Sequence, residues 1–544
     1  MTVGRYLRPL LPSGSDYRSL RRTWRGDLLA GVTVGVVALP LALAFGVSSG
    51  AGAEAGLVTA VVAGLVAAVF GGSNVQVSGP TGAMVVVLAP IVVAHGPGVV
   101  GLVALLAGVI VLVAGALKLG RIVSFIPWPV VEGFTLGIAV IIFGQQVPAA
   151  LGSAPGPSGN AVIAAVQSIS DVDVTTVVWP VVTVVVVAAI MLLAPRIHRR
   201  LPGSIIAIVA VSVASVLAGA PLARIGTLPA VLPAPHVPSF DPALLSTLAG
   251  PALTVAALAA IESLLSARVA SALADTGPYD ADRELVGQGL ASIAAGIFGG
   301  MPATGAIART AVNVRSGGRS RLSAIIHSLV LLATIYLAST VVSQVPLAAL
   351  AGVLMVTAAR MVSVATVRSV VGSTRSDTVV FVITAIITVT FDLIVAVGIG
   401  IAVAAVFALR TLADSGGVHR EQLPGAARPG DERIALFRLD GAIFFGAADR
   451  ILERVIEIQD VSVVIVRMSQ LQVLDATGAR MLTEMITALE RRGITVLVKG
   501  IQPRHVELAR RVGVMTALRH ENHLFTVLED ATEHARSHID RALP

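Results

Sequence analysis

One short phrase that occurs twice restricts how this chain can fold. The first copy runs from Phe70-Gly71-Gly72 through Pro80 to Thr81-Gly82-Ala83, and the second runs from Phe298-Gly299-Gly300 through Pro302 to Thr304-Gly305-Ala306. Each copy interrupts a long apolar stretch with glycine and proline, and more apolar sequence follows it. This pattern predicts a helix that begins partway across a membrane. Paired interruptions at corresponding points of two halves indicate a binding site where the two half-helices meet.

Composition supports a membrane protein with many spans. Hydrophobic residues make up 55% of the 544 residues and charged residues 13%, and the mean hydropathy is +0.87. A soluble protein of this length needs far more polar surface. The chain has no cysteine, which excludes disulfides and thiol chemistry. The net charge of +7 comes from small basic groups at the ends of apolar segments, so we expect them to orient the chain in the bilayer rather than to bind nucleic acid.

About fourteen apolar segments precede a more polar carboxy-terminal part. They lie near residues 28–50, 53–70, 79–95, 98–117, 122–148, 174–195, 203–220, 250–273, 285–299, 303–315, 321–343, 346–362, 377–390 and 391–410. Arginines precede the first run, which is too long for a cleavable signal peptide, so residues 1–26 are expected in the cytoplasm. Fourteen spans divide into two inverted repeats of seven, about 27–220 and 250–412. The repeated phrase then falls on the third segment of each.

The composition changes after the transmembrane domain, which is predicted over residues 27–412. Residues 413–430 are rich in glycine, proline and charge and are predicted to be a linker. Residues 431–544 alternate short β-rich runs with amphipathic segments, which predicts a soluble α/β domain on the cytoplasmic side. The β-rich runs lie at 434–439, 461–468 and 494–498, and the amphipathic segments at 448–458, 477–491, 504–511 and 529–539.

Five short motifs occur in the order found in a known family. They are ALPLALAFG at 38–46, VSGPTG at 77–82, ELVGQG at 284–289, NVRSGGR at 313–319 and DATG at 475–478. With them the whole chain resembles the SulP family of anion transporters, whose members carry a carboxy-terminal STAS domain. The resemblance implies fourteen spans in two inverted repeats, divided into a core and a gate domain, in the plasma membrane and commonly in a homodimer. The implied partners are a small inorganic or organic anion and the lipid bilayer.

The amino-terminal ends of the two half-helices are candidate anion-binding groups. The first amides of a helix have no intrahelical partner, and the macrodipole adds about half a positive charge there. Thr81 and Thr304 can add hydroxyl donors. Small neighbours let an anion reach the backbone amides; these are Gly82, Ala83, Gly305 and Ala306. Ala42 and Phe45 match the cavity-lining segment of the family. The alternative for the two threonines is that they only cap the half-helices.

Glu262 is the candidate ion-coupling residue because it lies in an otherwise apolar run. A charge there costs about 2.5–3.5 kcal/mol and usually faces a cavity. A carboxylate beside an anion site is unfavourable unless a proton or a cation neutralises it. In the sodium-coupled bicarbonate members that the chain resembles, the matching position is an acid that contributes to a sodium site, and Ser266 and Thr81 match the same site. The alternative is a structural glutamate neutralised by an arginine.

Arg309 follows Thr304 by five residues and would raise the electrostatic potential for an anion. A fixed positive charge works against bound sodium but tolerates a protonated glutamate, so the expected coupling ion is a proton. Sodium is the alternative, in which case Glu262, Ser266 and Thr81 would bind it. Apart from this no metal or cofactor is expected. Arg309 could instead extend to the cytoplasmic surface.

These observations predict secondary active transport of a small anion of the bicarbonate, sulphate or dicarboxylate class, with alternating access around the two half-helix ends. The alternatives are a sodium-coupled bicarbonate symporter, an uncoupled channel or exchanger, and a nucleobase permease, although such permeases lack a STAS domain. No hydrolase triad, metal-ligand spacing or P-loop motif occurs, so no enzymatic activity is expected. Thr477 matches the residue phosphorylated in stand-alone STAS regulators, but the pattern around Asp475 favours a helix cap.

Overall fold

The computed structural model of the protein describes residues 8–121, 126–170, 172, 176–198, 201–228, 230–238, 242–391, 393–415, 417–443 and 460–542. Within them the chain forms two compact units, and the division falls after Ile401. The first unit is built almost entirely of helices, and the second contains a five-stranded sheet. The polytopic helical fold followed by a soluble α/β domain, as predicted from the sequence, is therefore confirmed.

Helices α1 to α8 form the first half of the helical unit. They span Leu20–Ser48, Ala53–Phe70, Gly82–His95, Val100–Ala116, Trp128–Leu151, Ala161–Ser170, Val178–Ile197 and Gly203–Leu217. α1 begins at Leu20 rather than near residue 28, so its first turns carry Arg21, Arg22 and Arg25. The aliphatic stems of these arginines can extend toward a polar membrane surface, so the helix can continue beyond the hydrocarbon region.

Helices α9 to α16 form the second half. They span Pro242–Leu273, Ala281–Ile297, Ile307–Arg315, Arg321–Val342, Leu347–Met361, Val364–Val371, Arg375–Thr390 and Leu393–Ser415. A helix lies at each of the apolar segments, and α6 and α14 are additional because they are too short to read as spans. They are the sixth helix of each half, just as α3 and α11 are the third. Within the described residues, nine helices are long and apolar enough to cross a bilayer.

The helices of the first unit pack as two sets, each drawn from both halves. One set contains α1–α4 and α9–α12, and the other contains α5–α8 and α13–α16. The most extensive packing in the first set joins α4 to α10 through small residues. A Cβ atom on Gly108 would lie 2.8 Å from the carbonyl oxygen of Gly289, so only glycine allows this approach. The first set carries both half-helices.

The sheet of the second unit has five strands, which are numbered from β3 because β1 (Ser78–Gly79) and β2 (Thr304–Gly305) lie in the first unit. Their order across the sheet is β3-β4-β5-β6-β7. Its strands are Gly417–Glu421, Ile434–Ile443, Val463–Leu474, Thr495–Lys499 and Leu524–Phe525. β3 is antiparallel to β4 and the other pairs are parallel. The accompanying helices are α17 (Ala476–Arg491), α18 (Pro503–Val512) and α19 (Leu528–Ala542).

Successive side chains of β4 lie on opposite faces of the sheet, and helices cover each face. Phe437 packs in the core that α17 and α18 cover, whereas Leu436 packs against α19 on the opposite face. Strand β3 lies inside residues 413–430, so the prediction that this whole segment is a linker is wrong. Its polar sequence reads as a linker because an edge strand has one side free of the sheet. The amphipathic segment predicted at 448–458 lies outside the described residues.

Candidate anion-binding site

The two copies of the repeated phrase meet in the structure. Strand β1 (Ser78–Gly79) pairs antiparallel with β2 (Thr304–Gly305), with Ser78 opposite Gly305 and Gly79 opposite Thr304. The amide N–H of Ala306 also donates to the carbonyl oxygen of Val77 at 2.9 Å. α3 begins directly after β1 at Gly82, and α11 begins directly after β2 at Ile307. The amino-terminal ends of the two half-helices are therefore fixed side by side.

A carboxylate lies at this junction and joins both threonines. Thr81 Oγ1 and Thr304 Oγ1 are each 2.8 Å from Oε2 of Glu262 on α9, and the two hydroxyl oxygens are 3.1 Å apart. Thr304 is fully buried and Glu262 is half-buried. Thr81 occupies the N-cap position of α3 without a capping hydrogen bond from its side chain, and Ala306 is the N-cap of α11. Both threonine hydroxyls point to the glutamate instead of capping the helices.

The first turn of α3 keeps free amides beside small side chains. Among the described residues, none accepts a hydrogen bond from the amide N–H of Gly82, Ala83 or Met84. A Cβ atom on Gly82 would collide with Cδ1 of Ile142 and lie 3.4 Å from Cε1 of Phe45. The absence of a side chain at Gly82 therefore lets an isoleucine and a phenylalanine pack against the amide end of α3.

Two other predicted site residues lie away from the carboxylate. Ala42 is fully buried, and its carbonyl oxygen packs against Gly56 where α1 crosses α2. The Ser266 hydroxyl lies 3.3 Å from that of Thr310, and Thr310 Oγ1 accepts a hydrogen bond from the amide of Val77 at 3.0 Å. Ser266 thus supports the start of α11, where Ala306 is also buried.

Ser263 and Thr310 are site residues that the sequence did not single out. Ser263 Oγ accepts the amide N–H of Gly305 at 3.1 Å, and Thr310 holds the backbone before β1. Each directly follows a residue that was singled out, Glu262 or Arg309. The available signal was their position next to a charged residue on a membrane helix, because hydroxyl groups on such helices form hydrogen bonds to neighbouring helices.

Arg309 crosses from α11 to the connection that precedes α3. Its side chain is buried, and Nη2 donates to the carbonyl oxygen of Pro80 at 2.6 Å. Nη1 has no hydrogen-bond partner in the part of the chain that the structure describes. A Cβ atom on Gly79 would lie 2.7 Å from this Nη1. The guanidinium group therefore lies within the site and not at a membrane surface, and among the described ion pairs none joins it to Glu262.

A second buried carboxylate holds the loop that leads into β1. Glu284 Oε2 accepts the amides of Gly72 and Ser73 at 2.8 and 3.1 Å, and its Oε1 accepts the side-chain amides of Gln76 and Gln288 at 2.8 and 2.9 Å. The ELVGQG motif that contains Glu284 carried the family resemblance, but its structural role was not predicted. Four donors around one buried carboxylate make this loop rigid.

A cavity of about 390 Å³ lies between the two helix sets, along α3 from one turn beyond Gly82. Its polar lining comes from both sets and includes Gln145, Asn160, Thr254 and Thr388. Thr254 lies on α9, two turns before Glu262. The volume equals that of roughly 13 water molecules, since one water occupies about 30 Å³.

In the soluble unit, Thr477 is exposed in the first turn of α17. Asp475 is the N-cap of this helix, and its carboxylate accepts the amide N–H of Gly478 at 2.7 Å. The favoured interpretation of this motif as a helix cap therefore matches the geometry, and Thr477 itself does not cap the helix.

Comparison with known proteins identifies the family. The sequence profile of the Sulfate permease family matches residues 24–384, and that of the STAS domain matches residues 426–531. The putative sulfate transporter YvdB of Bacillus subtilis is 34% identical over 497 residues, which cover 90% of this chain and 93% of that protein. The transmembrane domain of a cyanobacterial bicarbonate transporter, BicA, is 32% identical with a TM-score of 0.60, covering 71% of this chain and 98% of that structure.

A further solved structure, murine Solute Carrier 26 family member A9 in the inward-facing state, has a TM-score of 0.86 and covers 98% of this chain and 95% of that structure. Its identity of 17% shows a shared fold and no more. The family match extends over the half-helices, Glu262 and Arg309, and the STAS match extends over strands β4 to β7 of the second unit. The chain belongs to the sulfate permease family, the SulP family of anion transporters, and carries a STAS domain.

Proposed function

We propose that this protein is a secondary active transporter that couples a small anion to a proton and binds the anion at the amino-terminal ends of α3 and α11. The observation that carries the proposal is the junction where β1 pairs with β2 and both threonine hydroxyls lie 2.8 Å from the Glu262 carboxylate. Free amides, helix dipoles and the Arg309 guanidinium attract an anion there. The carboxylate opposes it unless neutralised.

The proposed substrate class is bicarbonate, sulphate or a small dicarboxylate. Relatives described as a putative sulfate transporter and as a bicarbonate transporter support this range. Backbone amides and hydroxyls recognise oxyanions by charge and hydrogen bonding, which separates these anions poorly. A proteoliposome uptake panel with labelled sulphate, bicarbonate and succinate would identify the substrate.

The threonine pair suits a glutamate that changes its charge. An ionised Glu262 accepts a hydrogen bond from each hydroxyl, and a protonated Glu262 can donate to one of them, because a hydroxyl is both donor and acceptor. Neither charge state then leaves a buried polar group unpaired. In the proposed cycle Glu262 takes up a proton with the anion, and the two helix sets of the first unit move relative to each other to expose the site alternately.

Sodium coupling is the second candidate, and one observation favours it. Three oxygens converge at the junction, from Thr81, Thr304 and Glu262, and oxygen ligands suit hard cations. The buried guanidinium of Arg309 disfavours a second fixed cation nearby, because desolvated like charges repel strongly. This charge is the reason that we prefer the proton.

Replacing Glu262 by glutamine tests the coupling. A monovalent anion entering a cell works against about 2.3 kcal/mol at an interior potential of about −100 mV, so accumulation needs a coupled cation or an exchanged anion. We expect an inward proton gradient to stimulate uptake by wild-type proteoliposomes, and Glu262→Gln to lose this stimulation while it retains anion exchange. The measurement is labelled-anion uptake with imposed pH and sodium gradients.

Glu132→Gln is the matched control for this experiment. Glu132 accepts a hydrogen bond from Trp128 on its own helix at 3.0 Å and lies outside the junction, so its substitution should leave the stimulation intact. Uptake driven by sodium and insensitive to pH would replace proton coupling with the sodium mechanism. If no anion in the panel is taken up or exchanged by the wild type, the proposed transport function itself is wrong.

Truncation after Ser415 tests the role of the STAS domain. The half-helix ends, Glu262 and Arg309 all belong to the first unit, so we propose that the STAS domain, the part of the second unit after α16, modulates or stabilises transport without lining the pathway. We expect the truncated protein to assemble or transport severalfold less well, with an unchanged order of preference among anions. The cut precedes β3 because this strand pairs with β4 and belongs to the sheet. An altered order of preference would contradict the proposal.

A further inference from the structure

Three histidines converge at the carboxy-terminal end of the STAS domain. His534 and His538 lie one turn apart on α19, and His523 lies just before β7. The ring centroids of His523 are 5.5 Å from those of His534 and 5.6 Å from those of His538, and the two α19 rings are 5.0 Å apart. One ring nitrogen from each residue lies within 4.8 Å of the other two.

The nitrogens of this cluster are short of hydrogen-bond partners. His523 is only 2% exposed, yet its Nδ1 has no partner among the described residues, and neither does Nε2 of His534. Buried polar nitrogens are almost always paired in folded proteins, so two nitrogens without a partner in a cluster of three imidazoles require an explanation. Packing gives only part of this explanation: the ring centroid of Phe525 lies 5.3 Å from that of His534.

Burial and neighbouring basic groups disfavour the charged form of His523 and His538. Burial, together with the neighbouring His534, His538, His520 and Arg519, lowers the pKa of His523 to about 4. Burial and His534 also lower the pKa of His538, with Arg541 and Arg519 acting in the same direction and Glu490 opposing them. Neutral imidazole with a free lone pair is the form that binds a metal ion.

We propose that His523, His534 and His538 bind a divalent transition-metal ion, with Zn²⁺ as the expected occupant. Imidazole donors favour zinc, copper and nickel over magnesium and calcium, and two histidines four residues apart on a helix present both rings on one face. Tetrahedral zinc bonds of about 2.0–2.1 Å place nitrogens about 3.4 Å apart, so the rings need only close by side-chain rotation. Three protein ligands leave one position for water or another donor.

The surroundings tolerate a bound cation. Arg519, the nearest arginine in the loop before His520, is held by Glu490 at 2.9 Å, which offsets its charge. α19 is fixed independently by its apolar residues on the sheet and by a hydrogen-bonded ion pair of 2.8 Å between Arg536 and Asp431. The match to the STAS family covers residues 426–531, which includes His523 and ends before both helical ligands.

Metal binding to the full-length protein tests the proposal directly. The purified protein, with any polyhistidine tag removed, is dialysed against ZnCl₂ at a free concentration of about 10 µM, a range that detects Kd values up to the micromolar level. Bound zinc is then counted by mass spectrometry. We expect one equivalent that is lost in His534→Gln/His538→Gln, and a Co²⁺ visible absorption band of tetrahedral type that disappears with it.

His419→Gln is the matched control, because His419 lies on β3 of the same domain with 59% of its side chain exposed. It should bind the same equivalent as the wild type. Thermal unfolding in EDTA shows whether the double variant folds, and His538→Gln alone replaces it if it does not. Zinc should raise the unfolding temperature of the wild type and not of the ligand variant. Absence of bound zinc in the wild type, or equal zinc in the ligand variant, overturns the proposal.

Discussion

Thr304→Asp is expected to lower anion uptake in proteoliposomes at least 100-fold while the protein still folds. The Thr304 hydroxyl is fully buried and lies 2.8 Å from Glu262 Oε2, so the variant places a second carboxylate against the first. Two such groups cannot both ionise, and their shared negative charge repels an anion from the helix ends. A loss of about 3 kcal/mol, the cost of one poorly compensated buried charge, corresponds to roughly 100-fold in binding.

Thr304→Asn separates charge from shape in this experiment, because asparagine has nearly the same size as aspartate and no charge. We expect the Asn variant to retain measurable uptake and Thr81→Asp to behave like Thr304→Asp. Size-exclusion profiles and thermal unfolding in detergent show that the proteins are folded. Equal uptake in the Asp and Asn variants, or wild-type uptake in both Asp variants, would show that the anion does not bind at this junction.

Gly305→Ala should abolish transport through geometry alone. A Cβ atom there would overlap with Nε2 of Gln76 and lie 2.6 Å from its Cδ, so the glutamine must leave its hydrogen bond with Glu284. Losing one donor to a buried carboxylate destabilises a protein by about 1.5–3 kcal/mol. The same shift displaces β2, which carries Thr304. We expect a lower unfolding temperature together with uptake near background.

Gly398→Ala is the control for that substitution. Gly398 lies in α16 of the first unit, and a Cβ atom there would have no heavy atom within 4 Å. The extra methyl group should leave uptake and unfolding temperature unchanged, since alanine also favours helix over glycine. If Gly305→Ala transports like the wild type, the close packing around Gln76 does not position the site.

The positions of the helices in the first unit were largely readable from sequence because apolar length is a local property of the chain. The repeated phrase also placed both half-helix ends, since Gly and Pro end helices whatever surrounds them. The contacts within the site were not readable in this way. Thr81 and Glu262 are 181 residues apart, and Gln76 and Glu284 are 208 apart, so only the folded helix packing brings them together.

Arg309 and Ser266 illustrate the same limit in individual side chains. The spacing in the sequence placed Arg309 near Thr304. Its side chain crosses to Pro80 on the other half-helix connection, and helical spacing gives no information about such a contact. Ser266 lies one turn from Glu262 on α9, yet its hydroxyl faces Thr310. The strands of the STAS domain followed their alternation, whereas β7, with two residues, is too short to produce a pattern.

The backbone pairing between β1 and β2 has a thermodynamic consequence. It ties the amide donors of both repeats into one rigid body, so neither half of the anion cradle can move without the other. Under the proposed function, the anion meets the same backbone donors whichever face of the membrane the junction opens to. The direction of net flux is then set by the sum of the anion and coupling-ion gradients and reverses when that sum changes sign, as in any coupled cycle without another energy source.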